Sequence, residues 1–119
     1  MYPLQYDTVY DNSSLSTSVL ACSNGANGLA TKGYATIGAL PTYPRVGGAP
    51  PIAGWNSPNC GSCWRLTYNG RNLTVTAIDH ANGWNLSLQA MNNITNGHGE
   101  EFGRVNGTYT RIANSACGL

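Results

Sequence analysis

Five carboxylates limit the acid–base chemistry open to this 119-residue chain: Asp7, Asp11, Asp79, Glu100 and Glu101. A glycoside hydrolase ordinarily sets two carboxyl groups about 5–9.5 Å apart, one as acid and the other as base or nucleophile. Asp79 follows a strand-like segment and precedes the turn Asn82-Gly83, so it is the best-placed single candidate. In the alternative interpretation, Asp79 only accepts hydrogen bonds from the backbone of its own loop.

The segment Cys60-Gly61-Ser62-Cys63 has the spacing of a redox dithiol or of half a zinc site. A thioredoxin-type dithiol lies at a helix N-terminus, whereas the residues after Cys63 alternate like a strand. A zinc site that adds two histidines leaves Cys22 and Cys117 unexplained. We therefore favour structural disulfides between distant cysteines, because a bridge within the segment would constrain little of the chain. Composition does not choose between the two long-range pairings.

Aromatic side chains could bind sugars, because the C–H faces of pyranose rings pack on flat aromatic surfaces. The chain has three tryptophans and seven tyrosines. Trp64 lies in an alternating segment and is predicted to be a core residue, and Trp55 is predicted to anchor an irregular loop. Trp84 lies in a polar segment shortly after Asp79, where burial and exposure for binding are equal alternatives.

The composition excludes several classes of partner. Charged residues make up 9% of the chain, against a usual ~25%, and the formal net charge is +1. Since there is no run of Lys or Arg, we predict no nucleic-acid partner. No apolar stretch approaches the ~20 residues of a membrane span, so we predict no membrane partner. We predict no cofactor and no metal.

The length fits one domain, which we place at residues 1–119. An even set of four cysteines and five Asn-X-Ser/Thr sequons permit a secretory history. The first residues, Met1-Tyr2-Pro3, have neither the charged nor the apolar part of a leader. We therefore interpret Met1 as an added start residue that replaces a removed leader.

Many short segments separated by turns predict an all-β domain with minor helix. The clearest element is a hairpin. Trp64–Tyr68 alternate apolar and polar side chains, Asn69-Gly70 predicts a tight turn, and Leu73–Ala77 alternate on the return. This hairpin would deliver Asp79 at the end of its second strand, on a loop.

Four further segments are assigned from pattern and composition. Leu4–Tyr10 and Gly107–Ile112 are predicted strands, because aromatic and β-branched residues recur in them. A four-residue recurrence over Leu86–Ile94 predicts a short amphipathic helix. Pro41–Pro58 is rich in proline and glycine and is predicted to be irregular. A loop of that length in a compact domain must be either tied down or functional.

A resemblance to a known family lies in three blocks and the C-terminal end: Tyr6–Leu29, Gly47–Trp64, Leu73–Gly97 and GRVNGTYTRIANSACGL. Together they resemble the fungal cerato-platanins in order, spacing and cysteine placement along nearly the whole chain. The resemblance implies a six-stranded double-psi β-barrel with short helices, similar to the first domain of expansins, to barwin proteins and to one family of inverting endoglucanases. It also implies two disulfides, Cys22–Cys60 and Cys63–Cys117.

The same resemblance implies a function. Cerato-platanins are secreted proteins that associate with the fungal cell wall and bind chitin or N-acetylglucosamine oligomers. Some loosen cellulose in the manner of expansins without hydrolysis, so we expect a non-enzyme with a polysaccharide partner. Family members also self-associate at interfaces and elicit plant defence, which implies self-association and a plant receptor as further expectations.

Carried over by position, Asp79 corresponds to the acidic residue of the expansin and endoglucanase groove. The predicted carbohydrate-binding residues are Asp79, Asn82, Trp84, Tyr6, Asp7 and Asn24. The segment Asn82–Trp84 departs from the family, since relatives often carry a longer, more acidic stretch that ends in Phe. Two alternatives stay open: a weak glycoside hydrolase with Asp79 as acid and Asp7 or Asp11 as base, and a surface-active, self-assembling protein.

Overall fold

The computed structural model describes residues 1–119 and contains a closed barrel of six strands. The strands are β1 (Tyr2–Tyr6), β2 (Val46–Ala49), β3 (Cys63–Tyr68), β4 (Arg71–His80), β5 (Trp84–Leu86) and β6 (Arg104–Ile112). Their order is β1-β5-β2-β4-β3-β6, and β6 pairs with β1 to close the barrel. The β1–β5 and β2–β4 pairs are parallel, and the remaining pairs are antiparallel. The predicted all-β, six-stranded double-psi barrel is confirmed.

Short helices fill the connections between the strands. The helices α1 (Leu88–Ile94) and α2 (Gly99–Phe102) follow β5, and the recurrence seen in the sequence predicted α1. Ser87 begins α1, because its hydroxyl accepts a hydrogen bond from Ala90 N at 3.0 Å. No helix has the length and apolar character needed to cross a bilayer. Four single-turn 3-10 helices complete the fold: Thr8–Asp11, Thr17–Val19, Ile37–Ala39 and Asn114–Cys117.

The predicted hairpin is confirmed as the antiparallel pair of β3 and β4. Asn69 and Gly70 form its turn at positive φ angles of 50° and 79°, a region that Asn and Gly adopt more readily than other residues. Leu66 lies opposite Leu73, and both are buried. The strand β4 continues to His80, so Asp79 lies within the strand and not on the following loop.

The core is a single cluster of 22 buried residues. Within it, Trp84 packs edge-on against Trp64 and Tyr109, with ring centroids 6.1 and 5.5 Å apart. Trp64 is 9% exposed, which confirms the prediction that it is a core residue. Two disulfides, Cys22–Cys60 and Cys63–Cys117, tie the loops and the C-terminus to the barrel. The implied pairing is therefore confirmed.

The predicted first strand is too long. It ends at Tyr6, and Thr8–Asp11 forms a 3-10 turn instead. The turn begins because Asp7 Oδ1 accepts a hydrogen bond from Val9 N at 3.0 Å. This local hydrogen bond outweighs the strand preference of the β-branched and aromatic side chains that follow it.

The prediction that Pro41–Pro58 is irregular is wrong in one part, because the segment contains β2. All four residues of β2 are buried, and the strand pairs with both β4 and β5. Its glycines allow this close approach. A Cβ on Gly47 would lie 2.6 Å from the backbone oxygen of Asn85 and 2.9 Å from Leu86 Cα, too close for any side chain.

Gly47→Ala should therefore destabilise the protein, because backbone atoms of β5 cannot move away as a flexible side chain could. We expect the free energy of unfolding to fall by about 1–3 kcal/mol or more, measured by urea denaturation. Gly54→Ala is the matched control, since a Cβ there meets nothing within 4 Å. Its expected change is a gain or loss below about 0.5 kcal/mol. Equal stability of the two variants would contradict the packing argument.

Candidate functional site

The Asp79 carboxylate joins three distant segments of the chain. Its Oδ1 accepts hydrogen bonds from Ala21 N at 2.8 Å and from His80 N at 3.0 Å. Its Oδ2 accepts the hydroxyl of Tyr10 at 2.9 Å. These bonds reach across 58 and 69 residues of sequence, so Asp79 does more than bond the backbone of its own loop. Both carboxylate oxygens are engaged by the protein itself, and the side chain is half-buried.

Tyr10 is a functional neighbour that the sequence did not single out. Its side chain is 5% exposed and lies beside Gly48, where a Cβ would be 3.4 Å from the tyrosine hydroxyl. Gly48 pairs with Asp79 next to an irregularity in the β2–β4 register. Burial raises the pKa of Tyr10, and the charges of Asp79 and Asp7 raise it further. The phenol therefore stays neutral and donates to Asp79.

Asp7 and Tyr6 lie at the same side of the barrel as Tyr10. Asp7 is exposed, its backbone N donates to Leu86 O at 2.9 Å, and its charge acts on Tyr10. Tyr6 is half-buried at the end of β1, where it pairs with Leu86 of β5. The structure thus brings Asp7, Tyr10 and Asp79 together, as expected for two of the predicted residues.

Asn82 is exposed on the connection between β4 and β5. The next residue, Gly83, has a φ of 142°, and a Cβ there would lie 2.6 Å from Pro3 Cγ. Glycine therefore allows this connection to pack directly on β1. The exposed side chain of Asn82 lies a few residues after Asp79 and makes no hydrogen bond within the protein.

Asn24 and Trp55 form a second feature near the end of β4. The indole Nε1 of Trp55 donates to Asn24 Oδ1 at 2.6 Å, and both side chains are exposed. Their loops attach to β4 through the Ala21–Asp79 bond and through a hydrogen bond of 2.7 Å between His80 Nδ1 and Ile52 O. Trp55 is 63% exposed, so it anchors its loop through this hydrogen bond and not by burial in the core.

The family model described as Cerato-platanin matches residues 3–119. The chain belongs to the cerato-platanin family. It is 52% identical over 117 residues to the "Heat-stable 19 kDa antigen" of Coccidioides immitis, an alignment that covers 98% of this chain and 80% of that protein.

Solved structures agree with this membership. The crystal structure of cerato-platanin 2 from M. perniciosa superposes with a TM-score of 0.94 at 41% identity, covering 99% of this chain and 98% of that one. The solution structure of the fungal elicitor cerato-platanin superposes with a TM-score of 0.86 at 39% identity, covering 97% and 95%. The resemblance inferred from the sequence blocks is therefore confirmed.

In this cerato-platanin fold, Trp84 cannot stack on a ligand. The prediction that it binds carbohydrate is wrong, because the side chain is 0% exposed in the core between Trp64 and Tyr109. The polar residues around Trp84 concealed this, since β5 is only three residues long and its apolar–polar–apolar pattern is too short to identify a strand from the sequence. Its indole Nε1 is buried without a hydrogen-bond partner.

The other acids of this cerato-platanin chain have structural partners. Asp11 accepts hydrogen bonds from Leu88 N at 2.7 Å and from Gln89 N at 3.0 Å, at the first turn of α1. Asp7 caps the 3-10 turn through Val9 N. Each of these carboxylates thus stabilises the first turn of a helix.

The redox and zinc interpretations of the Cys60–Cys63 segment are wrong. Cys60 is bonded to Cys22, and Cys63 is bonded to Cys117, so no cysteine of the chain is free. Both bridges are long-range, as the argument from loop size favoured. Their effect is to hold the loop that carries Asn24 and the C-terminus against the same part of the barrel.

Removing the Asp79 carboxylate should destabilise this cerato-platanin fold, because three donors lose their acceptor. For Asp79→Ala we expect the free energy of unfolding to fall by about 2–4 kcal/mol in urea denaturation. Asp79→Asn should cost less, since an amide oxygen still accepts from Ala21 N and the amide group can donate to Tyr10. The control is Glu100→Ala at an exposed carboxylate. Equal effects of the two alanine variants would refute a structural role for Asp79.

Tyr10 should make stability depend on alkaline pH. Its pKa is raised on folding above the ordinary 10.0, so the unfolded state loses the proton first. The stabilisation is complete below pH 10 and is lost as the pH rises further. Tyr10→Phe should make the alkaline slope shallower by up to about 1.4 kcal/mol per pH unit. Burial also raises the pKa of Tyr43 and Tyr109, so some slope remains. Parallel curves for the two proteins in urea unfolding would disprove this linkage.

Proposed function

We propose that this protein is secreted by a fungus and binds neutral polysaccharide of the chitin type through N-acetylglucosamine units. The surface around Asp79 would bind the polysaccharide without hydrolysing it. Membership of the cerato-platanin family supports this proposal. The disulfides support secretion, because such bonds form and persist mainly in oxidising compartments.

The observation that carries the proposal is the exposed amide of Asn82 beside the Asp79 strand end. A free amide offers both a donor and an acceptor, which suits hydroxyl and acetamido groups. Asn24 and Asp7 add exposed polar atoms, and Tyr6 adds a half-buried ring. A neutral sugar needs such groups rather than a strong charge, in keeping with a formal net charge of +1.

The engagement of Asp79 favours binding over hydrolysis. Its two oxygens accept three hydrogen bonds from protein donors, and Asp11 is used at the start of α1. A general acid must carry a proton and reach the glycosidic oxygen. In this arrangement Asp79 holds the surrounding segments together, and the exposed amides would contact the ligand.

Expansin-like loosening and elicitor activity belong to the same proposal. One of the solved relatives is described as a fungal elicitor, which supports a role in plant recognition. A plant receptor and self-association stay predictions. Loosening of cellulose would use the same neutral-sugar surface, because it breaks hydrogen bonds between polymer chains rather than covalent bonds.

Isothermal titration with the N-acetylglucosamine hexamer should give saturable heat. Asn82→Ala should raise Kd by about three- to tenfold, equivalent to one lost hydrogen bond. Gln89→Ala is the control, because it removes another exposed amide, on α1. Reducing-end release from the hexamer should stay at the level without protein over several days.

Two results would contradict the proposal. Absence of heat at millimolar hexamer would reject chitin-type binding. Reducing ends that appear with the wild-type protein and disappear in Asp79→Asn would instead assign the weak hydrolase. Thermal denaturation of each variant must show that it is folded, so that loss of binding is not loss of the barrel.

A further inference from the structure

Trp55 is an exposed ring whose position is fixed. Its Nε1 donates to Asn24 Oδ1 at 2.6 Å, and a Cβ on Gly25 would lie 3.0 Å from its Cζ2. Nε1 and Cζ2 belong to the same edge of the indole, so this edge faces the Asn24–Gly25 loop. The ring is 63% exposed, and the exposed surface therefore lies away from that edge.

The backbone under the ring is also held. Asn56 has a positive φ of 59°, and its side-chain oxygen accepts from Asn27 N at 2.9 Å. In return, Asn27 Nδ2 donates to Asn56 O at 3.1 Å. Gly25 has a φ of 84°, and a Cβ on it would lie 2.7 Å from Asn56 Oδ1. The loop of Asn24–Asn27 and the loop of Trp55–Asn56 are thus hydrogen-bonded to each other next to the ring. The Cys22–Cys60 disulfide joins the same two loops.

A scattered exposed apolar side chain needs no explanation, but a fixed one differs in its energetics. A side chain that is already ordered loses little conformational entropy when a ligand arrives. Tryptophan also offers a large flat surface with few rotatable bonds. Trp55 has both a fixed position and a large flat surface, so it is preorganised for binding.

The surroundings of Trp55 select a neutral ligand. Residues 21–31 and 46–64, which supply the two loops and their flanks, contain no Asp, Glu, Lys or Arg. They contain amides and hydroxyls instead, with Asn24 exposed and Asn27 half-buried. Two cationic side chains from outside these segments reach them, but each donates to an oxygen of the protein itself: Lys32 Nζ to Cys60 O and Arg111 to Asn59 Oδ1. A pyranose ring, with apolar C–H groups on its faces and hydroxyls at its edge, matches a flat indole surrounded by amides.

We propose that Trp55 is an aromatic platform that stacks on a hexopyranose ring of a neutral glycan, and that Asn24 is the positioning residue that orients it. This inference rests on the proposed function and gives it a specific subsite. The loop of Asn24 bonds to Asp79 through Ala21, and the loop of Trp55 bonds to His80 through Ile52. The platform therefore adjoins the Asp79 surface and supplies the stacking ring that Trp84 cannot.

Trp55 can be observed separately from the other two tryptophans. Trp64 and Trp84 are 9% and 0% exposed, so acrylamide should quench mainly the fluorescence of Trp55 in the native protein. Saturating N-acetylglucosamine hexamer should reduce this quenching by at least about twofold, since a stacked sugar covers the exposed ring face. Unchanged quenching by acrylamide while calorimetry shows bound hexamer would place the sugar elsewhere and overturn the platform.

Calorimetric titration of variants with the same hexamer gives the second measurement. Trp55→Ala should raise Kd by about tenfold or more, and Trp55→Phe by about threefold, because a smaller ring remains. Phe102→Ala is the matched control, an exposed aromatic residue on α2 that stacks on His98. It should leave Kd unchanged.

The Asn24 variants test positioning. Asn24→Asp keeps an oxygen that accepts from the indole and should bind within about twofold of the wild type, whereas Asn24→Ala should raise Kd by about threefold. Wild-type affinity in Trp55→Ala would overturn the platform but leave the proposed function intact. If the wild-type protein binds no hexamer at millimolar concentration, both the Trp55 platform and the proposed function are rejected. If both Asn24 variants weaken binding equally, the positioning role is rejected.

Discussion

Three hydrogen bonds to one half-buried carboxylate hold this molecule's polar surface in place. Asp79 receives donors from its own strand, from the segment before the first disulfide and from a buried tyrosine. A carboxylate accepts such bonds more strongly than a neutral group does, so a single side chain fixes segments that are far apart in sequence. The surrounding loops take their position from this contact. Asp79 thus has a structural role in this surface. The exposed amides of Asn24 and Asn82 and the ring of Trp55 belong to the segments around it.

The disulfides and the glycines act on the same region in different ways. Cys22–Cys60 joins loops separated by 38 residues of sequence, and its two cysteines flank Asn24 and Trp55 along the chain. Gly47 lacks the side chain that would otherwise collide with the backbone of β5. Long-range covalent bonds restrict the unfolded chain, whereas missing side chains allow close approach in the folded one. Together they make a rigid surface in a chain with few charges.

Much of the fold could be predicted from the sequence because its strongest signals are local, whereas the candidate site depends on tertiary contacts. The Asn69-Gly70 turn and the alternation before it specified the hairpin without reference to the rest of the chain. The strand β2 was missed because its glycines are required by close contacts with the backbone of β5. Such tertiary contacts leave no pattern in the local sequence. Trp84 and Trp55 both lie among polar residues and glycine in the sequence. In the structure, Trp84 belongs to a strand that pairs with β1, whereas Trp55 lies in an exposed turn whose next residue, Asn56, is hydrogen-bonded to Asn27. Tyr10 was hidden for a similar reason, since its partner is 69 residues away.

The closure of the barrel through β1 and β6 has a consequence for how copies of the molecule could meet. Every strand has neighbours on both sides over at least part of its length, so the barrel offers a second chain fewer unpaired backbone groups than an open sheet of the same strands would. Sheet extension from molecule to molecule, the route by which many β-proteins form fibrils, has correspondingly little edge to start from. Layers built from the intact molecule at an interface would therefore depend chiefly on contacts between side chains.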